Sequence, residues 1–139
     1  MTAPNQTDET LEVQGTRVPR LGFGTWQITG SDATEAVRDA LEIGYRQIDT
    51  ARAYENEKEV GAALAASGVD RSEIFLTTKI FPGEFEPGAL KAAAEESLRA
   101  LRTDYVDLLL LHWPDPSVPV ERTLAAMVEL QEAGRIRNL

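Results

Sequence analysis

Apolar and polar positions along this chain fall into short apolar runs and longer stretches with a helical period. Three short runs, 45-YRQIDT-50, 74-IFLTTKI-80 and 106-VDLLLLHW-113, mix β-branched and apolar residues and read as strands. Each is followed by a stretch whose apolar residues recur at three- and four-residue steps, the mark of a helix with one buried face. The first helix is expected earlier, from Ala33 to Ile43, with Ala33, Ala36, Val37, Ala40 and Leu41 inward. Asp32 with Glu35 suits a capping box at its start, and Gly44 suits its stop. A second helix follows Asn56, with Val60 and Leu64 inward and Gly68 as its stop. The acidic stretch 55-ENEKE-59 reads as its solvated start, where negative charge suits the helix dipole. A third begins near Pro87, a residue that fits the first helical position, and turns Leu90, Ala93, Ala94, Ser97, Leu98 and Leu101 inward. A fourth begins near Pro119, buries Leu124, Met127 and Val128, and ends at Gly134.

Two elements precede this series. Residues 11-LEVQGTRVP-19 read as a hairpin around Gly15, and 21-LGFGTW-26 as a strand or strand end. At the other end, 135-RIRNL-139 reads as the opening of a fifth strand. The order is a hairpin followed by four β-α units. Strict alternation of this kind means an α/β fold, a parallel sheet with helices outside it. Residues 1–10 read as a mobile polar tail and 11–139 as one body without an internal boundary or low-complexity linker.

Composition narrows the function. The chain has 139 residues, no cysteine and one histidine, which excludes disulfides and thiolate metal sites; no metal is expected. A net charge of −9 argues against nucleic acid and anionic membranes as partners. The longest apolar run is 108-LLLL-111, far short of a membrane span, and the N-terminus lacks the basic start and apolar core of a signal peptide. A cytoplasmic protein is the expectation.

The candidate chemistry sits at strand ends. Asp49, Lys79 and His112 close the three strands, separated by 30 and 33 residues, and Tyr54 lies just past the first. One βα repeat takes roughly 30 residues, so the three should recur on the same end of the sheet, where parallel barrels carry their active sites. Each residue alone has a plainer reading. Asp49 could cap the next helix, Tyr54 could be a surface tyrosine, and His112 could be structural. Together the four types suit carbonyl reduction. A free phenol is a reluctant proton donor at neutral pH, and a nearby ammonium makes it a better one by stabilising the phenolate. A carboxylate partner keeps that ammonium charged in a partly dry cleft. A histidine can donate a hydrogen bond to the oxygen where negative charge builds. The hydride must come from a cofactor, because no side chain supplies one. Gly22 and Gly24 do not make a Rossmann fingerprint, since Gln27 holds the third glycine position.

Several ordered segments resemble the aldo-keto reductases. The stretch 44-GYRQIDTARAYENEKEVG-61 follows that family's first signature at Gly44, Arg46, Asp49, Ala51, Glu57 and Gly61, departing at Gln47. The segments 21-LGFGTWQ-27, 77-TTK-79 and 111-LHWP-114 match further family positions. The resemblance implies a (β/α)8 TIM-type barrel that reduces aldehydes or ketones with NADPH. It implies Tyr54 as general acid, Lys79 as its assistant, Asp49 as the partner of Lys79 near the nicotinamide, and His112 as the group that orients the carbonyl. Gly24 and Thr25 would lie beside the nicotinamide ribose; Trp26 and Trp113 would line the substrate pocket with His112.

Such barrels take typically ~250 residues, and this sequence accounts for the hairpin and about four of eight βα units. The resemblance places most of the cofactor site in the other half. An open half-barrel would leave its first and fourth strands as unpaired edges. Three arrangements are therefore open. The residues could belong to a longer enzyme; two copies could close one barrel; or the chain could be a non-catalytic scaffold that binds a partner through its edges.

Overall fold

The computed structural model describes residues 9–139. The tail assigned to residues 1–10 lies outside the described residues but for its last two. Glu9 bonds Arg20 through both backbone and side chain, and Thr10 already opens a strand. That strand, β1 (Thr10–Val13), pairs antiparallel with β2 (Thr16–Pro19). Gln14 and Gly15 turn the hairpin with φ of 49° and 78°, the backbone that two-residue hairpins require and glycine accepts most easily.

The remaining strands form one parallel sheet in chain order: β3 (Phe23–Gly24), β4 (Gln47–Asp49), β5 (Phe75–Ile80), β6 (Val106–Leu111) and β7 (Ile136–Asn138). Helices α1 (Gly30–Ile43), α2 (Glu57–Ala66), α3 (Pro87–Leu101) and α4 (Val120–Glu132) return the chain each time. The expected fifth strand forms and pairs with β6, so among the described residues the sheet edges are β3 and β7. The expectation that the fourth of the predicted strands would be an open edge is corrected by that pairing.

One face of the sheet packs on the helices. Ile48, Leu76, Ile80 and Leu109 are buried there against Val60, Leu90, Leu98, Leu101 and Met127. The inward face of α3 is the expected one, with all six predicted residues buried. Gly44 closes α1 in the left-handed region, φ 118°, and Pro87 opens α3, both as read from the sequence.

Two helix details differ from expectation. The capping box at Asp32 and Glu35 does not form, because α1 starts earlier, at Gly30, and Asp32 falls inside its first turn. In α4 the buried residues are Thr123, Ala126, Met127 and Leu130, whereas Leu124 and Val128 are exposed. The helix is rotated so that the Thr123 hydroxyl donates to the Phe85 carbonyl, which draws a polar residue into the buried stripe.

The amino end of the sheet is fastened by polar contacts. Asp107 on β6 accepts from the Leu76 amide and from Arg71, while Asn138 on β7 donates to the Asp107 carbonyl and accepts from Thr16 of the hairpin. The hairpin is thereby tied to β7 beneath the sheet. The carboxyl end carries Asp49, Lys79 and His112.

Candidate active site

Strand register decides which side chains meet. Asp49 pairs with Thr77, and Lys79 lies two residues further along β5 on the same face. Lys79 pairs in turn with Leu110, and His112 lies two residues past Leu110. Asp49, Lys79 and His112 therefore project from the face opposite the helices, each one step higher than the last. The His112 amide extends the ladder by donating to the Ile80 carbonyl.

Tyr54 reaches the same place by a different route. After β4 the chain makes a 3-10 turn over Arg52–Tyr54, closed by Glu55 in the left-handed region, φ 56°. The turn carries the phenol to Lys79. The Lys79 ammonium donates to Asp49 Oδ1 at 2.5 Å, to the Thr50 carbonyl at 2.9 Å and to the Tyr54 hydroxyl at 3.4 Å. Its side chain keeps only 13 % of its surface, so the ion pair is partly desolvated. The His112 ring stands edge-on to Tyr54, centroids 5.7 Å apart, and is stacked on Trp113 at 5.5 Å. Phe81 meets His112 from a further side at 5.8 Å. The imidazole is held below the ordinary histidine pKa, first by burial and then by the Lys79 charge, with Asp49 opposing. His112 Nδ1 is buried without a protein partner among the described residues.

The predicted residues around this group divide. Gly24 is exposed, and a Cβ placed on it would meet nothing within 4 Å. Trp26 and Trp113 are exposed over 67 % and 57 % of their surface at the mouth of the site. Thr25 is fully buried. Its amide donates to the Asp49 carbonyl, its hydroxyl to Thr50, and its carbonyl accepts from Asn56. An apolar cleft of about 660 Å³ lies beside His112 and Trp113, lined by Phe85, Leu111, Val118 and Val120. A larger cavity of about 830 Å³ opens beneath the hairpin at the opposite end and contains none of the four residues.

Behind the site lies a polar network that the sequence reading did not assemble. Thr50 donates to Asn56 Oδ1, and Asn56 donates to the carbonyls of Thr25 and Ile28. These bonds fix the Thr50 carbonyl that receives Lys79. Glu57, expected on a solvated helix start, is buried instead, which is a correction. It accepts from Thr78 at 2.5 Å and from Ser97 at 3.1 Å, and burial pushes its carboxyl above the usual range against those bonds and Arg52. The signal was present: Glu57 stands three, four and seven residues before Val60, Gly61 and Leu64, on the buried stripe of α2.

The described residues thus form a parallel sheet flanked by helices, with Asp49, Lys79, Tyr54 and His112 gathered at its carboxyl end. The family model described as "Aldo/keto reductase family" matches residues 20–139. The chain belongs to the aldo/keto reductase family. It is 44 % identical over 124 residues to methylglyoxal reductase DkgB of Salmonella typhi, covering 88 % of this chain and 46 % of that protein. An aldo-keto reductase of Mycobacterium sp. (strain KMS) is 44 % identical over 126 residues, covering 90 % and 46 %. Among solved structures, a putative 2,5-diketo-D-gluconic acid reductase B superimposes with a TM-score of 0.90 at 43 % identity, over 95 % of this chain and 47 % of that one. A Bombyx mori aldo-keto reductase in complex with NADP does so with a TM-score of 0.85 at 32 % identity, over 93 % and 48 %. The chain spans about half the length of the relatives it matches, and its fold is the corresponding part of their (β/α)8 barrel.

Proposed function

We propose that these residues form the proton-transfer centre of an NADPH-dependent reduction of aldehydes or ketones. Tyr54 is the proton donor, Lys79 and Asp49 support it, and His112 orients the carbonyl. The observation that carries this reading is the position of the Lys79 ammonium, which is within hydrogen-bond reach of Asp49, Thr50 and Tyr54 at once.

The chemistry follows from those contacts. As negative charge develops on the carbonyl oxygen, the Tyr54 hydroxyl gives up its proton to it. The phenolate left behind is stabilised by the Lys79 ammonium. Asp49 and the Thr50 carbonyl accept hydrogen bonds from that ammonium and aim it at Tyr54. His112, largely neutral at physiological pH because of burial and Lys79, can hydrogen-bond the same oxygen without competing as an acid. The stacked Trp113 and edge-on Phe81 keep the imidazole in one orientation.

The residues present fit a nicotinamide nucleotide. The space over Gly24 is open, and Asp49 presents a carboxylate about a third exposed. Gly24 and Asp49 would face the bound cofactor. Thr25 has its polar groups engaged within the protein, so it would serve the site by fixing Gly24 and Trp26. The cofactor supplies the hydride. The choice of NADPH rests on the family resemblance and on the NADP bound by the Bombyx mori relative. Trp26, Trp113 and the apolar cleft would meet the carbonyl substrate, and methylglyoxal is the first to test because the DkgB relatives carry that name. The relatives named above are reductases, and they lend no support to the scaffold alternative.

The test is reduction of methylglyoxal and simple aldehydes, with NADPH binding followed separately by fluorescence. Tyr54→Phe is expected to lower kcat ~10²- to 10⁴-fold, the usual contribution of a general acid, while NADPH binding persists. Lys79→Met is expected to lower kcat more than it raises KM. Full activity in Tyr54→Phe would remove Tyr54 from the role of acid, and a pure KM effect in Lys79→Met would remove Lys79 from its support.

A further inference from the structure

Tyr54 is carried by a three-residue turn whose own side chains make one strong attachment. Arg52, two residues before Tyr54, directs its guanidinium away from the site and into the β5–α3 connection. Arg52 Nε donates to Glu84 Oε2 at 3.0 Å and Nη2 to Glu84 Oε1 at 2.9 Å, a two-pronged pair. Nη2 also reaches Glu96 on α3 at 3.0 Å, and Nη1 reaches the Ala93 carbonyl at 3.2 Å. The guanidinium side chain keeps 21 % of its surface, so this is a partly desolvated clamp with planar geometry that a lysine does not reproduce.

The same connection touches the other side of the site. The Glu84 amide closes a turn onto the Phe81 carbonyl, and the Phe81 ring meets His112. The neighbouring Gly83 amide donates to Asp115, in the loop that follows His112 and Trp113. Three loops that carry the site's side chains are thus joined through Glu84 and its neighbours. Among the described residues, the Tyr54 hydroxyl has only the 3.4 Å hydrogen bond from Lys79 to locate it.

We propose that Arg52 is a positioning residue for Tyr54: its clamp on Glu84, Glu96 and the Ala93 carbonyl sets the turn that aims the phenol at Lys79 and His112. The proposal rests on the reading of Tyr54 as proton donor for its catalytic consequence, but the geometric part stands apart from it.

The sole histidine of the chain makes the geometry observable. Tyr54 and Phe81 both present their rings to His112, so a displaced turn or loop changes the ring-current shift of the His112 carbon-bound protons. In folded Arg52→Met and Arg52→Lys, confirmed by circular dichroism, the His112 resonances are expected to move, with lysine giving little rescue. Glu84→Gln should move them in the same direction, and the double variant Arg52→Met with Glu84→Gln should add little further. Arg122→Met, which removes an exposed ion pair with Glu86, should leave them in place. Should Arg52→Met not fold, Arg52→Lys and Glu84→Gln carry the test alone. In the reduction assay the Arg52 variants should lose on the order of tenfold or more in kcat, with KM for NADPH little changed, as small misplacements of a reacting group do. Unmoved His112 resonances in folded Arg52→Lys and Glu84→Gln would overturn the proposal. If Tyr54→Phe stays active, the role of Tyr54 falls while the resonance shifts still decide the clamp.

Discussion

Gly61 and Gly88 look alike as helical glycines, yet alanine should affect them in opposite directions. Gly61 lies on α2 where that helix crosses α3. A Cβ added there would fall 2.3 Å from the Ala100 carbonyl oxygen and 2.7 and 2.8 Å from backbone atoms of Leu101. Ordinary van der Waals contact begins near 3.4 Å, so the helices must separate by about 1 Å. The obstructing atoms are backbone and cannot rotate aside. Overpacking of this kind typically costs ~1–3 kcal/mol, and the better helix propensity of alanine returns at most ~1 kcal/mol. The steric cost should fall at the upper end of that range, leaving Gly61→Ala destabilised by about 2 kcal/mol. A moved α2 would also pull on Asn56, which braces Thr25 and Thr50 behind Lys79. Gly88, in the first turn of α3, faces open space, and a Cβ there meets nothing within 4 Å. Gly88→Ala should be stabilising by about 0.4–1 kcal/mol, through the reduced freedom of the unfolded chain. Urea unfolding of the wild type and both variants, compared by midpoint at equal slope, is the assay. A Gly61→Ala protein as stable as the wild type, or more so, would refute the close approach as the reason for glycine at this position.

Two further predictions concern titration. Glu57 has a carboxyl raised above its ordinary 4.5 by burial, so ionising it is disfavoured in the fold. A raised folded value means a contribution to stability present at low pH and lost as pH rises through it. Glu57→Gln does not titrate, so the wild type should lose ground to it in urea midpoints as pH rises above 4.5; a wild type that gains ground instead would contradict the burial account. His112 has the opposite sign. Its folded value lies below its ordinary 6.5, so its contribution to stability is present above 6.5 and lost as pH falls through the folded value. Its NMR titration midpoint should rise in Lys79→Met and fall further in Asp49→Asn, and an unmoved midpoint in both would show that those charges do not reach the imidazole.

Much of this fold was legible locally. The three strands follow from short runs of β-branched and apolar residues, and the order of the helices and the inward face of α3 from the 3.6-residue period, which records one residue at a time whether a side chain meets the core. The recurrence of Asp49, Lys79 and His112 at strand ends was legible for the same reason, because parallel strands joined by helices bring their carboxyl ends together. Misreadings came where a polar residue occupied a buried position. Thr123 enters the buried face of α4 and displaces Leu124 and Val128 from it. Glu57 was read as solvated because its partners, Thr78 and Ser97, stand 21 and 40 residues away.

The sequence alone therefore determined the elements, their alternation, the end of the sheet at which Asp49, Lys79 and His112 gather and the types of residue found there. Only the tertiary structure decided how those residues are held. The Lys79 ammonium between Asp49, Thr50 and Tyr54, the Asn56 brace and the Arg52 clamp depend on contacts near 3 Å between groups remote in sequence. Hydrophobic burial is non-directional and leaves a periodic trace along the chain. A hydrogen bond or ion pair exists only when distance and angle are both met, and the folded chain alone sets those.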